Sequence, residues 1–208
     1  MTRKGLLSRF RRDDMTGDAW LVVGLGNPGP TYAATRHNVG YLVTDLLAER
    51  MSGNWRVHKS RRADVIEGRL GGTPGIRTVL GRTRSYMNES GGPVAGLTAF
   101  YKIPPERLVV VHDELDLPLG TVRLKFGGGD NGHNGLRSIR SALGTGDFHR
   151  VRIGIGRPPG RQSPTDFVLG RFRSDERPEI DICVERAGDA LESLLVRGLE
   201  VTQSEYHR

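Results

Sequence analysis

Two short β-branched runs, "WLVVGLGN" at 20–27 and "LVVVHDELD" at 108–116, constrain this chain more than any other feature. Each opens on apolar strand-forming residues and closes on polar ones. The segment "NVGYLVTDLLAER" between them keeps a different period. Val39, Leu42, Val43, Leu46 and Leu47 fall at i, i+3, i+4, i+7 and i+8, the stripe of an amphipathic helix, with Asn38 placed to cap it. The alternation continues, predicting strands over 20–25, 54–58, 62–69, 76–81, 107–112, 120–126 and 149–156, and helices over 38–51, 88–102, 134–143 and 175–197. The implied class is α/β, a sheet with helices on both faces. In such sheets ligands gather beyond the carboxyl ends of the strands. If the two β-branched runs are parallel, Asn27 and the cluster His112, Asp113, Glu114 and Asp116 reach the same rim.

At 208 residues the chain has the size of one domain that buries about 70% of its unfolded surface. Residues 1–19, polar and Arg-rich, read as a mobile tail, and 20–208 as one folded unit without repeat or linker. The single cysteine, Cys183, cannot close an internal disulfide and lies in "EIDICVERAGDALESLL", whose helical spacing makes it a core thiol rather than a nucleophile. With no apolar run near the roughly 20 residues of a membrane span, the expected setting is the reducing cytoplasm. The net charge of +7 suits a polyanionic partner. Yet 27 of the 31 basic residues are Arg, a bias that genomic base composition also produces, so placement must decide.

Gly24, Gly26 and Gly29 form G-x-G-x-x-G directly after the first run. A dinucleotide cradle needs a helix to open inside that motif and offer free N–H groups to the pyrophosphate. Pro28 and Pro30 stand where those donors belong, and each pushes its predecessor out of helical geometry. Asp45, near the distance of the ribose-binding acid, falls inside a helical pattern instead of at a strand end. Phosphate-loop, nucleophile-elbow and zinc motifs are absent from the sequence.

The remaining chemistry rests on histidine, aspartate and asparagine. His37 precedes a helix, and an imidazole suits proton abstraction from water near neutral pH. Asp113 strengthens that reading if it reaches His37, because a carboxylate fixes the tautomer and stabilises the imidazolium. Glu114 and Asp116 have no such claim. Asn27, Asn88 and Asn134 sit at turns or helix starts, where caps are common. A neutral amide can also donate to a carbonyl oxygen or a water, and Gly127, Gly128 and Gly129 let backbone approach a ligand closely. Arg123 and Lys125 share one face of a strand, as do Arg150 and Arg152: the wet side of a sheet, or a phosphate clamp.

Taken in order, "VVGLGNPGPTYAATRHNVGY", "SYMNESG", "HDELDLPLG", "GGGDNGHNGLRSI" and "FHRVRIGIGRP" resemble the signature segments of bacterial-type peptidyl-tRNA hydrolases over nearly all of residues 20–200. The resemblance implies a monomeric α/β domain around a mixed twisted sheet. It implies hydrolysis of the ester between a peptide and the terminal ribose of tRNA, without metal or organic cofactor. His37 is then the general base and Asp113 its partner. Asn27, Tyr32, Met87 and Asn88 line the peptide or ester end, Asn134 helps place the water, and Lys125 and Arg152, with Arg123 as a lesser contributor, grip the 5′ phosphate. Departures from the family's pattern are the tail, Asp130 and Asn131 in the Gly-rich loop, and the ending "GLEVTQSEYHR". Rival readings are an RNA-binding relative without turnover, an esterase acting on unblocked aminoacyl-tRNA, and a dinucleotide-dependent enzyme.

Overall fold

The computed structural model describes residues 18–207. Seven strands, β1 (Trp20–Gly24), β2 (Arg56–Val57), β3 (Ala63–Leu70), β4 (Ile76–Thr83), β5 (Leu108–Glu114), β6 (Val122–Phe126) and β7 (His149–Gly154), form one sheet in the order β2-β3-β4-β1-β5-β7-β6. Strands β4, β1, β5 and β7 are mutually parallel, whereas β2, β3 and β6 pair antiparallel with their neighbours. The sheet is therefore mixed, and the two β-branched runs are adjacent and parallel. Val22, Val109 and Val111 face one core, shared with α1 (Val39–Arg50) and α5 (Arg177–Arg197). Leu21, Val23 and Val110 face the other, shared with α2 (Gly91–Tyr101) and α3 (Asn134–Leu143). Every non-glycine residue of β1 after Trp20 is fully buried, as a central strand covered on both faces requires.

Two glycines let α1 come close enough to matter for chemistry. A Cβ on Gly24 would lie 2.3 Å from the Gly40 carbonyl oxygen, and one on Gly40 would lie 2.4 Å from that of Val111. The first turn of α1 thus rests directly on the backbone of β1 and β5. That contact carries the residues just ahead of the helix to the end of β5.

The expected helices form, α3 with the bounds expected and the other three starting one to three residues later. A 3₁₀ turn, Arg36–Asn38, precedes α1, and Asn38 does not cap it through its side chain. A second 3₁₀ turn, Met87–Glu89, precedes α2. Two helices lie beyond the predicted set. Ser163 accepts from the Asp166 N–H at 3.1 Å to cap the short α4 (Pro164–Val168), with Pro164 in the first turn. Beside it Arg36 is buried between the rings of Phe167 and Phe172 and bonded to Glu176 at 2.6 Å, which ties this segment to the turn before α1. Cys183 is buried, and burial pushes its thiol up to about 11, in keeping with a core residue. Most of the stretch 1–19 lies outside the described residues. Its last two residues belong to the body: Ala19 is buried and Asp18 pairs with Arg107 at 3.3 Å.

The second unexpected helix, α6 (Leu199–Tyr206), closes the exposed edge at β6. Gln203 donates to the Leu124 carbonyl at 2.9 Å, and His207 Nε2 accepts the Leu124 N–H at 2.8 Å. Side chains thus occupy ladder groups that would otherwise recruit another strand. His207 can accept only when Nε2 is unprotonated. Burial, followed by Arg123 and Arg152, lowers its pKa. The folded state therefore binds fewer protons at this site than the unfolded chain, and the latch's contribution is present above about pH 6.5 and lost as pH falls toward the lowered folded value. The protection factor of the Leu124 amide should fall on acidification below that point, and in His207→Ala it should be low throughout. Equal protection at pH 7 in variant and wild type would contradict the latch.

Candidate active site

Three turns meet beyond the carboxyl ends of β1 and β5: the 3₁₀ turn before α1, the one before α2, and the loop that ends at α3. They bring His37, Met87 and His133 around Asp113 and enclose a crevice of about 720 Å³, within the range of small-ligand sites. Asn27, Tyr32, Asn88 and Asn134 also line it, so the catalytic and substrate residues expected from sequence share one cavity.

His133 caps α3, its Nδ1 accepting the N–H groups of Gly135 and Leu136 at 3.1 and 3.3 Å. With that lone pair in use, the ring proton sits on Nε2, which donates to Asp113 Oδ1 at 3.0 Å. The same oxygen lies 2.8 Å from His37 Nδ1. An ionised carboxylate only accepts, so Nδ1 of His37 donates to it, and Nε2 of that ring has no hydrogen-bond partner among the described residues. Burial favours the neutral Asp113 carboxyl, but the combined pull of His37 and His133 outweighs it and holds the group well below the usual carboxylate range. His112, fully buried, donates from Nδ1 to the Asp113 carbonyl at 2.7 Å. Burial, then the neighbouring His133, push its pKa far down, so it stays neutral. His37, Asp113 and His133 are also close enough to resemble a three-ligand metal set. The facing atoms of the trio, His37 Nδ1, Asp113 Oδ1 and His133 Nε2, are hydrogen-bonded to one another.

The Gly-Asn-Pro-Gly turn opens no helix, which removes the dinucleotide reading. Instead it presents Asn27. Asn38 clamps the Asn27 backbone twice at 2.9 Å, donating to its carbonyl and accepting its N–H. Asn27 Oδ1 accepts the Met87 N–H at 2.7 Å. With its oxygen so engaged, the amide is left with an NH₂ that has no hydrogen-bond partner among the described residues. Tyr32 stacks edge-on against Tyr86 with centroids 6.2 Å apart. Asn88 is exposed and makes no side-chain hydrogen bond among the described residues; Asn134, also exposed, accepts from Arg137 at 3.3 Å.

Beside the crevice, antiparallel pairing sets Arg123 opposite Arg152 and Lys125 opposite Arg150. The four cations are not equivalent. Arg150 is not on a wet face: it is 1% exposed, because the Gly-rich loop folds over it and its guanidinium donates to the Gly128 and Gly129 carbonyls. Arg123 reaches the Tyr206 carbonyl at the end of α6. Lys125 and Arg152 are half-buried, Arg152 donating from Nε to Glu114 at 2.9 Å. Asp130 is neutralised locally by Arg140 at 3.0 Å. Its charge is therefore not left bare beside the cations.

The model of the family described as peptidyl-tRNA hydrolase matches residues 21–208. The chain belongs to that family. A relative from Frankia casuarinae named peptidyl-tRNA hydrolase is 62% identical over 193 residues, 92% of this chain and 96% of its own. One of the same name from Streptomyces coelicolor is 56% identical over 199 residues, 93% of this chain and 99% of its own. The crystal structure of peptidyl-tRNA hydrolase from Acinetobacter baumannii superposes with a TM-score of 0.81 at 38% identity, covering 91% of this chain and 93% of that one. The α/β fold with its mixed sheet is thus the family's fold.

Sequence reasoning misses His133, Glu114 and the wall formed by α4. Of these only α4 carries a local signal, the Ser163-Pro164-x-Asp166 start. His133 makes a specific prediction. His133→Ala removes one donor to Asp113 and the α3 cap, so stability should fall by about 1–2 kcal/mol, and His133→Gln, which keeps an amide donor, should recover part of the activity lost. Denaturant midpoints and turnover unchanged in His133→Ala would contradict this accounting.

Proposed function

We propose that this chain hydrolyses the ester joining a peptide to the terminal ribose of tRNA, releasing both, with His37 as general base and Asp113 as its orienting partner. Family membership supports the activity. One observation carries the residue assignment: the 2.8 Å contact between His37 Nδ1 and Asp113 Oδ1, at the wall of a crevice floored by polar amides. Water held near His37 Nε2 loses a proton as it attacks the acyl carbon, and the imidazolium that forms sits beside the Asp113 carboxylate. Donors aimed at the developing oxyanion are worth roughly 3–4 kcal/mol each. Asn27, whose amide is already oriented, suits this task best. Asn88 and Asn134, exposed at the mouth, suit the peptide and the water. Tyr32 and Met87 supply apolar wall. The imidazolium can return its proton to the departing ribose oxygen, which closes the cycle without a metal or organic cofactor.

The nucleic-acid part of the substrate falls to the cations beside the crevice. Lys125 and Arg152 suit a terminal phosphate, and Arg123, partly committed to α6, an adjacent one. No described helix is long and apolar enough to cross a membrane. Action as a monomer in the cytoplasm completes the reading.

His37→Ala should lower release of N-acetyl-aminoacyl groups from tRNA by about 10²–10⁴-fold, the usual worth of general-base help, with circular dichroism unchanged. Wild-type turnover in that variant would overturn the base assignment. Faster release from free than from N-blocked aminoacyl-tRNA by the unmodified protein would favour the esterase reading instead.

A further inference from the structure

The odd group among the cations is Glu114. A carboxylate beside a phosphate grip repels the ligand, and its burial is costly unless it is well partnered. Glu114 is 5% exposed, and one of its oxygens, Oε2, takes both of its bonds: from Arg152 Nε at 2.9 Å and from Asn131 Nδ2 at 3.4 Å. The way Arg152 is held is informative. A two-pronged guanidinium–carboxylate pair would consume two N–H groups and quench the arginine as an anion ligand. Contact through Nε alone leaves both terminal nitrogens without a partner among the described residues.

We propose that Glu114 is the positioning residue of the phosphate grip, holding Arg152 by Nε so that its two terminal nitrogens are presented to a phosphate. This rests on the reading of Lys125 and Arg152 given above. Successive residues of a strand point to opposite faces, so the last two residues of β5 divide the work: Asp113 turns to His37 and His133, and Glu114 to Arg152. One rigid strand end thereby fixes the spacing between the ester chemistry and the phosphate contact. The Asn131 bond ties the Gly-rich loop to the same carboxylate. Lys125 benefits as well: burial, Arg150 and Arg152 lower its pKa, and Glu114 opposes them.

The test compares KM for one N-acetyl-aminoacyl-tRNA bearing its 5′ phosphate with KM for the same molecule dephosphorylated. In the unmodified protein the ratio should be on the order of tenfold, the worth of a charged hydrogen bond. Glu114→Leu removes the acceptor at similar volume and should bring the ratio close to one. Arg152→Lys keeps a cation opposite Glu114 but has no Nε to be held by, and should do the same, with circular dichroism confirming that it folds. A ratio of one in the unmodified protein would overturn the phosphate grip itself. A tenfold ratio that survives in Arg152→Lys, or in a folded Glu114→Leu that merely slows both substrates alike, would overturn the positioning role while leaving the grip intact.

Discussion

A single carboxylate oxygen, Asp113 Oδ1, accepts from two imidazoles, and the arrangement of the crevice depends on that sharing. Burying an ionised carboxylate is costly unless its lone pairs are used. Here the two donors arrive from different elements, one ahead of α1 and one capping α3, so the charge is stabilised only when both are docked against β5. His133 is committed on its far side as well, to the α3 backbone, and His37 is carried by a 3₁₀ turn whose last residue, Asn38, clamps Asn27. The centre is over-determined, and that is what holds the His37 ring with Nδ1 on Asp113.

The fold serves this meeting point through close backbone contact more than through side-chain bulk. Gly24 and Gly40 let the start of α1 rest on β1 and β5 at distances no Cβ tolerates. The parallel pairing of β1 with β5 then sets Asn27 and Asp113 on the same rim. The second half of the site hangs on β7, the other parallel neighbour of β5, which offers Arg152 to Glu114. His37 and Arg152 thus bond to consecutive residues of one strand end, Asp113 and Glu114.

Much of this is legible in the chain. Apolar β-branched runs, strand alternation and the 3.6 period locate the seven strands and four of the six helices of the described residues, because those elements are defined by which faces they bury. His37, Asp113 and Asn27 stand out because strand ends and helix starts are where side chains become available for chemistry. What escapes depends on distant partners. Glu114 has no visible reason to be special until Arg152, 38 residues on, is placed beside it. His133 looks like a loop residue until its ring is seen to cap a helix with one nitrogen and reach Asp113 with the other. Arg150 has the alternation of a wet face, yet the Gly-rich loop covers it. The purpose of α6 is hidden because its partner is the backbone of Leu124, to which no side-chain pattern points.

The sharpest test of the shared carboxylate is the protonation pattern of the two rings. With imidazole nitrogens labelled with ¹⁵N and observed by NMR near pH 8, His37 should carry its proton on Nδ1 and His133 on Nε2, opposite tautomers of one residue type a few ångströms apart. Finding His37 protonated on Nε2 with Nδ1 bare would mean that Asp113 does not hold it, and the account of the base would fail.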